Sequence, residues 1–254
     1  MILCVDIGNS WIKMAVADEP GVLGRERFAT RAVHHDLGGL ELAVRRSSAA
    51  VLAVRAAVAC SVVPELTRDV LKCVGDVLGL RPVLVTHEMR FPMEIALPLP
   101  SRVGVDRLCV AAGALGGRRR HAIVADAGSA VTVDLVRDGK YLGGAIFAGP
   151  DAALDALHAR TSQLPAIDFA ALEDHWPDSF DTTEGAMVLG ASLGTVGAIR
   201  EVARHLERHA GSRPPRFLTG GWAGVLGAAL GPGWTVDTDL AIRGLHRVAQ
   251  LNGV

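Results

Sequence analysis

Two segments of the chain, residues 2–16 and 122–136, share one pattern of apolar and polar positions. In each, an apolar run leads into a short polar turn and a second apolar run follows. The turns read Asp6-Ile7-Gly8-Asn9-Ser10 and Asp126-Ala127-Gly128-Ser129. The pattern predicts a strand, a turn of the form Asp-x-Gly-polar, and a returning strand in both places.

This self-similarity predicts two copies of one α/β unit. Asp6 and Asp126 stand 120 positions apart in a chain of 254 residues. A solenoid would need a shorter period and more copies. A third strand is predicted in each half, around Arg27–Thr30 and Tyr141–Phe147.

Helical and strand patterns alternate through the rest of each half. The predicted strands are Ala56–Cys60, Pro82–Thr86, Arg216–Leu218 and Trp234–Val236, and the predicted helices are Glu65–Leu78, Thr183–His209, Trp222–Leu230 and Leu240–Leu251. Hairpins followed by helix–strand alternation imply mixed sheets covered by helices. The Pro-containing stretch Arg90–Arg102 is predicted to be a loop. A boundary near Gly116–His121 divides the chain into domains 1–118 and 119–254.

Composition excludes several classes of protein. Half of the residues are hydrophobic and mean hydropathy is +0.30, which excludes wholesale disorder. Net charge is −1 and aromatic residues make up 4%, so neither the basic excess nor the stacking platforms of a nucleic-acid binder are present. The four cysteines form no CxxC pair, which argues against a disulfide scaffold or a zinc site. No signal peptide or membrane-spanning segment is recognised, so we predict a cytoplasmic protein with no membrane or nucleic-acid partner.

The aspartate turns carry the candidate chemistry. Gly8 lets the backbone approach a ligand closely, and successive N–H groups in such a turn can cradle a phosphate. The Asp6 carboxylate cannot attract a phosphate directly, but it can hold Mg²⁺, which prefers oxygen ligands. Lys13, on the returning strand, can bring its ammonium group toward the same phosphate. Two facing turns would form a cleft between the domains, where small-molecule sites often occur.

At these residues the chain resembles the superfamily of acetate and sugar kinases, heat-shock proteins and actin, and within it the type III pantothenate kinases. The resemblance runs nearly end to end. Its motifs are Asp6-Ile7-Gly8-Asn9-Ser10 with Lys13, Ser61-Val62-Val63-Pro64, Gly104-Val105-Asp106-Arg107, Asp126-Ala127-Gly128-Ser129-Ala130 with Thr132 and Asp134, Gly143-Gly144-Ala145-Ile146, Leu164-Pro165, Thr183-Glu184-Gly185-Ala186 and Thr219-Gly220-Gly221. The Gly-x-Asp-Arg element narrows the match to this family.

The resemblance implies two similar ribonuclease H-like (actin-like ATPase) domains, each a mixed sheet flanked by helices. It implies ATP-dependent phosphorylation of pantothenate to 4′-phosphopantothenate, the first step of coenzyme A biosynthesis, with ATP and Mg²⁺. It also implies a monovalent cation, K⁺ or NH₄⁺, and a homodimer.

The resemblance further implies a role for individual residues. Asp106 is the base. The nucleotide contacts are Asp6, Ile7, Gly8, Asn9, Ser10, Lys13 and Ser129, with Asp6 reaching Mg²⁺ through the phosphates. The pantothenate contacts are Gly104, Val105, Asp106, Arg107 and Thr183. Asp126 corresponds to the ligand of the monovalent cation.

The chemistry agrees with these roles. Phosphoryl transfer has a loose transition state, so positioning and charge neutralisation provide most of the catalysis. A base need only orient the hydroxyl and accept its proton late, which suits an ionised aspartate such as Asp106. Arg107 beside it is a sensible anchor for the carboxylate of pantothenate.

Three features of the sequence depart from the family pattern. Leu97 stands where the family commonly has a tyrosine, so the substrate region lacks the hydroxyl of that tyrosine. Ala148-Gly149-Pro150 replaces the family's Pro-Gly and predicts a shifted start of the following helix. Ser10 and Ser129 replace threonines and keep the hydroxyl.

Each site residue also has a purely structural interpretation. Asp6 and Asp126 could bond their own backbone in ordinary turns. Asp106 with Arg107 could be an exposed pair at a helix start, and Lys13 a solvated strand residue. Thr183 could be a helix N-cap.

Two functions therefore stand beside pantothenate phosphorylation. One is a kinase or ATPase of the same superfamily that acts on a different hydroxyl. The other is a non-catalytic regulatory homologue, against which the presence of Asp6, Lys13, Asp106 and Asp126 argues.

Overall fold

The computed structural model describes residues 1–18, 21–49, 53–117, 119–168 and 180–254. Its strands are β1 Ile2–Ile7, β2 Trp11–Asp18, β3 Gly21–Ala29, β4 Ala56–Ser61, β5 Val83–Leu84, β6 Glu94–Ile95, β7 Ala122–Ala127, β8 Ala130–Arg137, β9 Lys140–Ala148, β10 Arg216–Thr219 and β11 Thr235–Val236. Its α-helices are α1 Leu37–Ala49, α2 Pro64–Leu78, α3 Val105–Ala114, α4 Pro150–Arg160, α5 Thr183–Ala210, α6 Ala223–Leu230 and α7 Leu240–Leu251.

The first repeat folds into a five-stranded mixed sheet in the order β3-β2-β1-β4-β5. Strand β1 pairs antiparallel with β2 and parallel with β4. Successive side chains of a strand point to opposite faces. Leu3, Val5 and Ile7 therefore join one buried cluster with residues of α1 and α2. Ile2, Cys4 and Asp6 lie on the other face, and helices α3 and α7 pack against this part of the sheet.

The strands of the second repeat, with β6 from the first half of the chain, form the sheet β11-β10-β7-β8-β9-β6, which is also mixed. One face of β7 contributes Ile123, Ala125 and Ala127 to a core shared with Ile199 of α5 and Leu226 of α6. Both halves are thus mixed sheets with helices, and the predicted α/β class is confirmed.

Contacts divide the chain into two compact units. The first comprises residues 1–120, 139–141 and 239–254, and the second comprises residues 121–138 and 142–238. The prediction from the sequence placed everything after residue 118, itself outside the described residues, in the second domain. Helix α7 instead groups with the first unit, because its glycine Gly244 packs directly on the backbone of α3.

Most predicted elements are confirmed within a few residues, and the exceptions have clear physical reasons. The stretch 90–102 is not entirely loop, since β6 pairs with the start of β9 and a 3₁₀ helix forms at Pro100–Arg102. Helix α1 begins Leu37-Gly38-Gly39, and its glycines hide a helical pattern. Strand β3 begins at Gly21 instead of Arg27, because its edge position accepts exposed polar residues.

Helix α5 is long and apolar enough, by length and composition alone, to cross a membrane. Seven of its residues are buried, among them Val196, Ile199 and Ala203 in the core of the second unit. This side of α5 therefore packs in the core of the second unit.

Candidate functional site

The first aspartate turn is fixed by its own backbone and by a threonine. The amide of Gly8 donates to the carbonyl of Trp11 at 3.1 Å. The hydroxyl of Thr30 donates to the Gly8 carbonyl at 2.7 Å, and the Thr30 amide donates to the Ser10 carbonyl at 3.0 Å. Asn9 and Ser10 are exposed at the tip. The turn is thus a preformed loop. The role of Thr30 as its anchor could not be predicted from the sequence, because no motif includes this residue.

Asp6 lies in a row of three side chains across three strands. Lys13 on β2 and Cys60 on β4 are its direct partners in the sheet register. Directly opposed residues place their side chains on the same face, about 5 Å apart at Cβ in an antiparallel pair. The thiol of Cys60 donates a hydrogen bond to Oδ1 of Asp6 at 3.3 Å. Lys13 is half-buried beside Asp6.

Asp106 occupies the first turn of α3, and its carboxylate folds back onto the helix start. Its Oδ1 accepts a hydrogen bond from the amide of Arg107 at 2.8 Å. A Cβ on Gly104 would overlap that same oxygen, so a larger residue at position 104 would require the Asp106 carboxylate to move. The positive end of the helix dipole favours a carboxylate here. The helix-start interpretation is therefore correct about position, but Asp106 and Arg107 are half-buried instead of exposed.

Asp6 and Asp106 both lie near the thiol of Cys60. A hydrogen bond with Cys109, burial, and then the negative charges of Asp6, Cys109 and Asp106 raise the pKa of Cys60 well above its ordinary value. Both aspartates therefore lie close enough to the thiol to act on it electrostatically. Cys109 lies on α3, one turn after Asp106. Neither Cys60 nor Cys109 belongs to a cysteine motif, so nothing in the residue pattern singles them out.

The second aspartate turn repeats this arrangement with different side chains. Thr132 on β8 and Thr219 on β10 are the register partners of Asp126. The Gly128 amide donates to the Ala130 carbonyl at 3.2 Å. This hairpin leaves three unpaired positions between Ala127 and Val131, whereas four lie between Ile7 and Ile12.

The Thr219-Gly220 turn lies directly against Asp126. Gly220 has φ +99°, and a Cβ there would come within 2.5 Å of Asp126 Oδ1 and overlap the carbonyl oxygen of Ala127. A carboxylate oxygen and a carbonyl oxygen thus converge on one small space that only glycine leaves open. Hard cations prefer oxygen ligands of this kind.

The shifted Ala148-Gly149-Pro150 sequence starts α4 against the same turn. The Gly149 amide donates to the Ser129 carbonyl at 2.9 Å, and a Cβ at Gly149 would overlap the carbonyl of Gly128. Pro150 takes the first helical position, where its missing N–H costs nothing. The departure from the family pattern still gives a glycine next to the turn.

Two other predicted positions lie in different surroundings. Thr183 is the exposed first residue of α5, and its neighbour Thr182 is the N-cap, whose hydroxyl accepts from the Gly185 amide at 3.0 Å. The capping role considered for Thr183 therefore belongs to Thr182. Leu97 is half-buried. It follows Ala96, whose amide donates to the Tyr141 carbonyl.

Within the described parts of the chain, no group of three or more histidine, cysteine, aspartate or glutamate side chains could hold a metal ion. A divalent ion at Asp6 would therefore need most of its ligands from a phosphate and water, as Mg²⁺ commonly does.

Comparison with known proteins agrees with the geometry. A type III pantothenate kinase from Kosmotoga olearia is 28% identical over 248 residues, covering 96% of this chain and 94% of that protein. One from Thermus thermophilus is 32% identical over 260 residues and covers 98% of both chains.

The fold also matches a solved kinase. A ROK family glucokinase from Streptomyces griseus, in complex with glucose and AMPPNP, superimposes with a TM-score of 0.51 over 99% of both chains at 16% identity. The fold is thus similar to that of this sugar kinase.

The family model for type III pantothenate kinase matches residues 2–205, which include both aspartate turns and the Gly104–Arg107 element. With this match, and with a 32% identical relative along almost the whole length, the chain belongs to the type III pantothenate kinase family.

Proposed function

We propose that Asp6, Lys13 and Asp106 carry out the reaction of this family, ATP-dependent phosphorylation of pantothenate in coenzyme A biosynthesis. The observation that carries the proposal is the environment of one buried thiol. Asp6 accepts its hydrogen bond, and Asp106 lies near enough to raise its pKa. Asp6 on β1 and Asp106 on α3 therefore both lie near this thiol, which supports a shared site for the phosphates and the hydroxyl.

The first turn binds the phosphates of ATP. Ile7, Gly8, Asn9 and Ser10 present backbone and short polar groups at a tip anchored by Thr30. Lys13 supplies positive charge beside Asp6. These groups suit a reaction in which positioning and neutralisation of phosphate charge dominate. In the second unit, Ser129 at the other aspartate turn adds a further nucleotide contact.

Asp106 receives the proton. As the pantothenate hydroxyl oxygen bonds to the γ-phosphorus, the bond from that phosphorus to the β–γ bridging oxygen breaks and ADP leaves. The hydroxyl proton passes to the Asp106 carboxylate, whose Oδ1 is held by the Arg107 amide. Gly104, Val105 and Arg107 frame the substrate beside it. Thr183, exposed at the start of α5, provides a further pantothenate contact.

Mg²⁺ accompanies ATP in this family, and Asp6 fits it. The carboxylate is half-buried and one oxygen is already hydrogen-bonded. The ion, when bound, neutralises charge that develops on the transferred phosphoryl group. The contribution of Asp6 is to hold an oxygen ligand in a fixed orientation at the phosphate turn.

Asp126 is the proposed ligand of a monovalent cation, K⁺ or NH₄⁺. Its Oδ1 and the Ala127 carbonyl converge at the space kept open by Gly220. Oxygen donors of low total charge favour a monovalent ion over a divalent one. The proposal extends to a cytoplasmic homodimer, as the family resemblance implies.

The test is a coupled assay of ADP release with ATP, Mg²⁺ and K⁺, with and without pantothenate. We expect release that depends on pantothenate, and mass spectrometry should find 4′-phosphopantothenate. ADP release that responds only to another alcohol would support the different-hydroxyl alternative, which Leu97 in place of tyrosine favours. No release with any alcohol would support the non-catalytic alternative.

A further inference from the structure

The buried Cys60 side chain has no part in the mechanism described so far, although it touches Asp6. It is fully buried in the centre of the first sheet. Its thiol donates to Asp6 Oδ1 at 3.3 Å. A thiol at this position can donate a hydrogen bond to the Asp6 carboxylate, which an apolar side chain of similar size could not do.

The geometry makes the Cys60 thiol a donor to Asp6. Its sulfur lies 3.3 Å from Asp6 Oδ1. The thiol has one proton, and the Asp6 carboxylate is a stronger acceptor than the Cys109 sulfur. Cys60 therefore acts as a hydrogen-bond donor to Asp6.

The second repeat supplies an independent observation. The residue that stands beside Asp126 in the register, as Cys60 stands beside Asp6, is Thr219. Thr219 is also buried, with 3% of its surface exposed, and it also carries a donor. Both repeats thus place a small side chain with a hydrogen-bond donor, a thiol or a hydroxyl, next to the aspartate of the turn.

We propose that Cys60 is a positioning residue for nucleotide binding: its thiol fixes Oδ1 of Asp6, so that the other carboxylate oxygen is directed to the Mg²⁺–phosphate group. The inference rests on the proposed function of Asp6. Hydrogen bonds to a carboxylate ligand commonly change metal affinity by about 10- to 100-fold, and a thiol is a weak donor, so about tenfold is expected here.

Three variants of the full-length chain test the proposal. Cys60→Ala removes the hydrogen-bond donor. Cys60→Ser keeps a donor, because its Cβ–Oγ bond is only slightly shorter than the Cβ–Sγ bond of cysteine. Cys4→Ala is the matched control, because Cys4 is a fully buried thiol on the same face of β1, two residues from Asp6, and its thiol donates to the Ile2 carbonyl. Thermal unfolding shows that each variant folds.

Calorimetry with Mg²⁺ and AMPPNP gives the nucleotide Kd, and steady-state assays give KM for ATP and for pantothenate. We expect Cys60→Ala to weaken nucleotide binding about tenfold and to raise KM for ATP without changing KM for pantothenate. Cys60→Ser should recover most of the loss and Cys4→Ala should match the wild type.

Equal Kd values in Cys60→Ala and wild type would overturn the proposal. So would equal losses in Cys60→Ala and Cys60→Ser, or in Cys60→Ala and Cys4→Ala, since these indicate packing alone. The Kd does not depend on which alcohol is phosphorylated. A wild-type chain that binds nucleotide but ignores pantothenate would therefore contradict the substrate assignment and leave the test of Cys60 intact.

Discussion

Gly244 of α7 lies against the backbone of Cys109 in α3, so closely that a Cβ on Gly244 would overlap the Cys109 carbonyl. Gly113 of α3 makes the reciprocal contact with the Leu240 carbonyl. Two glycines thus let two helices cross backbone to backbone on the face of the sheet that carries Asp6. The C-terminal helix thereby supports the helix that presents Asp106.

Substitution of Gly244 by alanine should destabilise the protein. The new methyl group must force α3 and α7 apart, and overpacking of this kind costs about 1–3 kcal/mol. Urea unfolding measures the free energy of unfolding. The control is Gly197→Ala in α5, where a Cβ meets nothing within 4 Å. That variant should be more stable by about 0.5–1 kcal/mol, because alanine replaces glycine inside a helix. Equal stabilities for the two variants would contradict the close crossing.

Replacement of Asp106 by asparagine should abolish most turnover while the fold stays intact. Asparagine keeps an oxygen that accepts from the Arg107 amide, but it cannot take the hydroxyl proton. General-base catalysis contributes about 10²–10⁴-fold, and kcat should fall by that factor. Binding of AMPPNP by calorimetry should be nearly unchanged. Wild-type turnover in this variant would remove Asp106 from the mechanism.

The sequence predicted those features that rest on local pattern. Asp6 and Asp126 each follow an apolar strand at a glycine turn, and this repeat is readable in one dimension. The closing helix 240–251 was also predicted with its correct bounds. Its membership of the first unit was not, because the order of residues along a chain contains no signal for a backbone contact between Gly244 and Cys109.

The neighbours of the aspartates were harder to predict for the same reason. Lys13 could be assigned because a hairpin brings it back to Asp6 after a short turn. Cys60 and Thr30 reach the same turn only through sheet pairing over 54 and 22 positions. Thr182 caps α5 in place of Thr183, a one-residue difference that two adjacent threonines leave undecided in the sequence.

Substitution of Gly220 by alanine should damage the second aspartate turn selectively. Gly220 has a positive φ, and a Cβ there would press on both Asp126 Oδ1 and the Ala127 carbonyl. Backbone strain of this kind costs about 1–3 kcal/mol. We therefore expect a lower Tm and a loss of activation by potassium. Gly221→Ala is the matched control, since a Cβ at Gly221 meets nothing within 4 Å. Its Tm and kcat should equal those of the wild type, and equal damage in both variants would contradict the geometry.

Potassium should support turnover better than sodium if Asp126 holds a monovalent ion. Under the proposed cation role, Asp126 Oδ1 and the Ala127 carbonyl at Gly220 would bind a weakly hydrated cation. Rates are compared in matched potassium, ammonium and sodium chloride, with Mg²⁺ and ATP constant. Asp126→Asn should lower the potassium rate toward the sodium rate. Equal rates of the wild type in all three salts would exclude the cation role of Asp126.

Asp151 should lower the stability of the fold as pH rises. A carboxylate in an ion pair has the opposite effect, because it loses its stabilising charge as pH falls. It lies in the first turn of α4, and its buried Oδ1 has no hydrogen-bond partner among the described residues. Burial and then the charge of Asp155 raise its pKa above 3.8, and the hydrogen bond from Trp222 opposes this only in part. Because the folded state holds the proton more tightly than the unfolded state, stability falls as pH rises through the raised pKa.

Asp151→Asn removes this titration. The variant should have a higher Tm than the wild type at pH 7, and the difference should shrink as pH falls toward 4 and below, where the wild-type carboxyl is protonated as well. Asp69→Asn, at an exposed position of α2, makes the same change of charge and should leave Tm unchanged at both pH values. Scanning calorimetry at pH 4 and pH 7 measures both variants. A difference between Asp151→Asn and wild type that grows toward low pH would mean that the ionised carboxylate stabilises the fold, which would reverse the assignment.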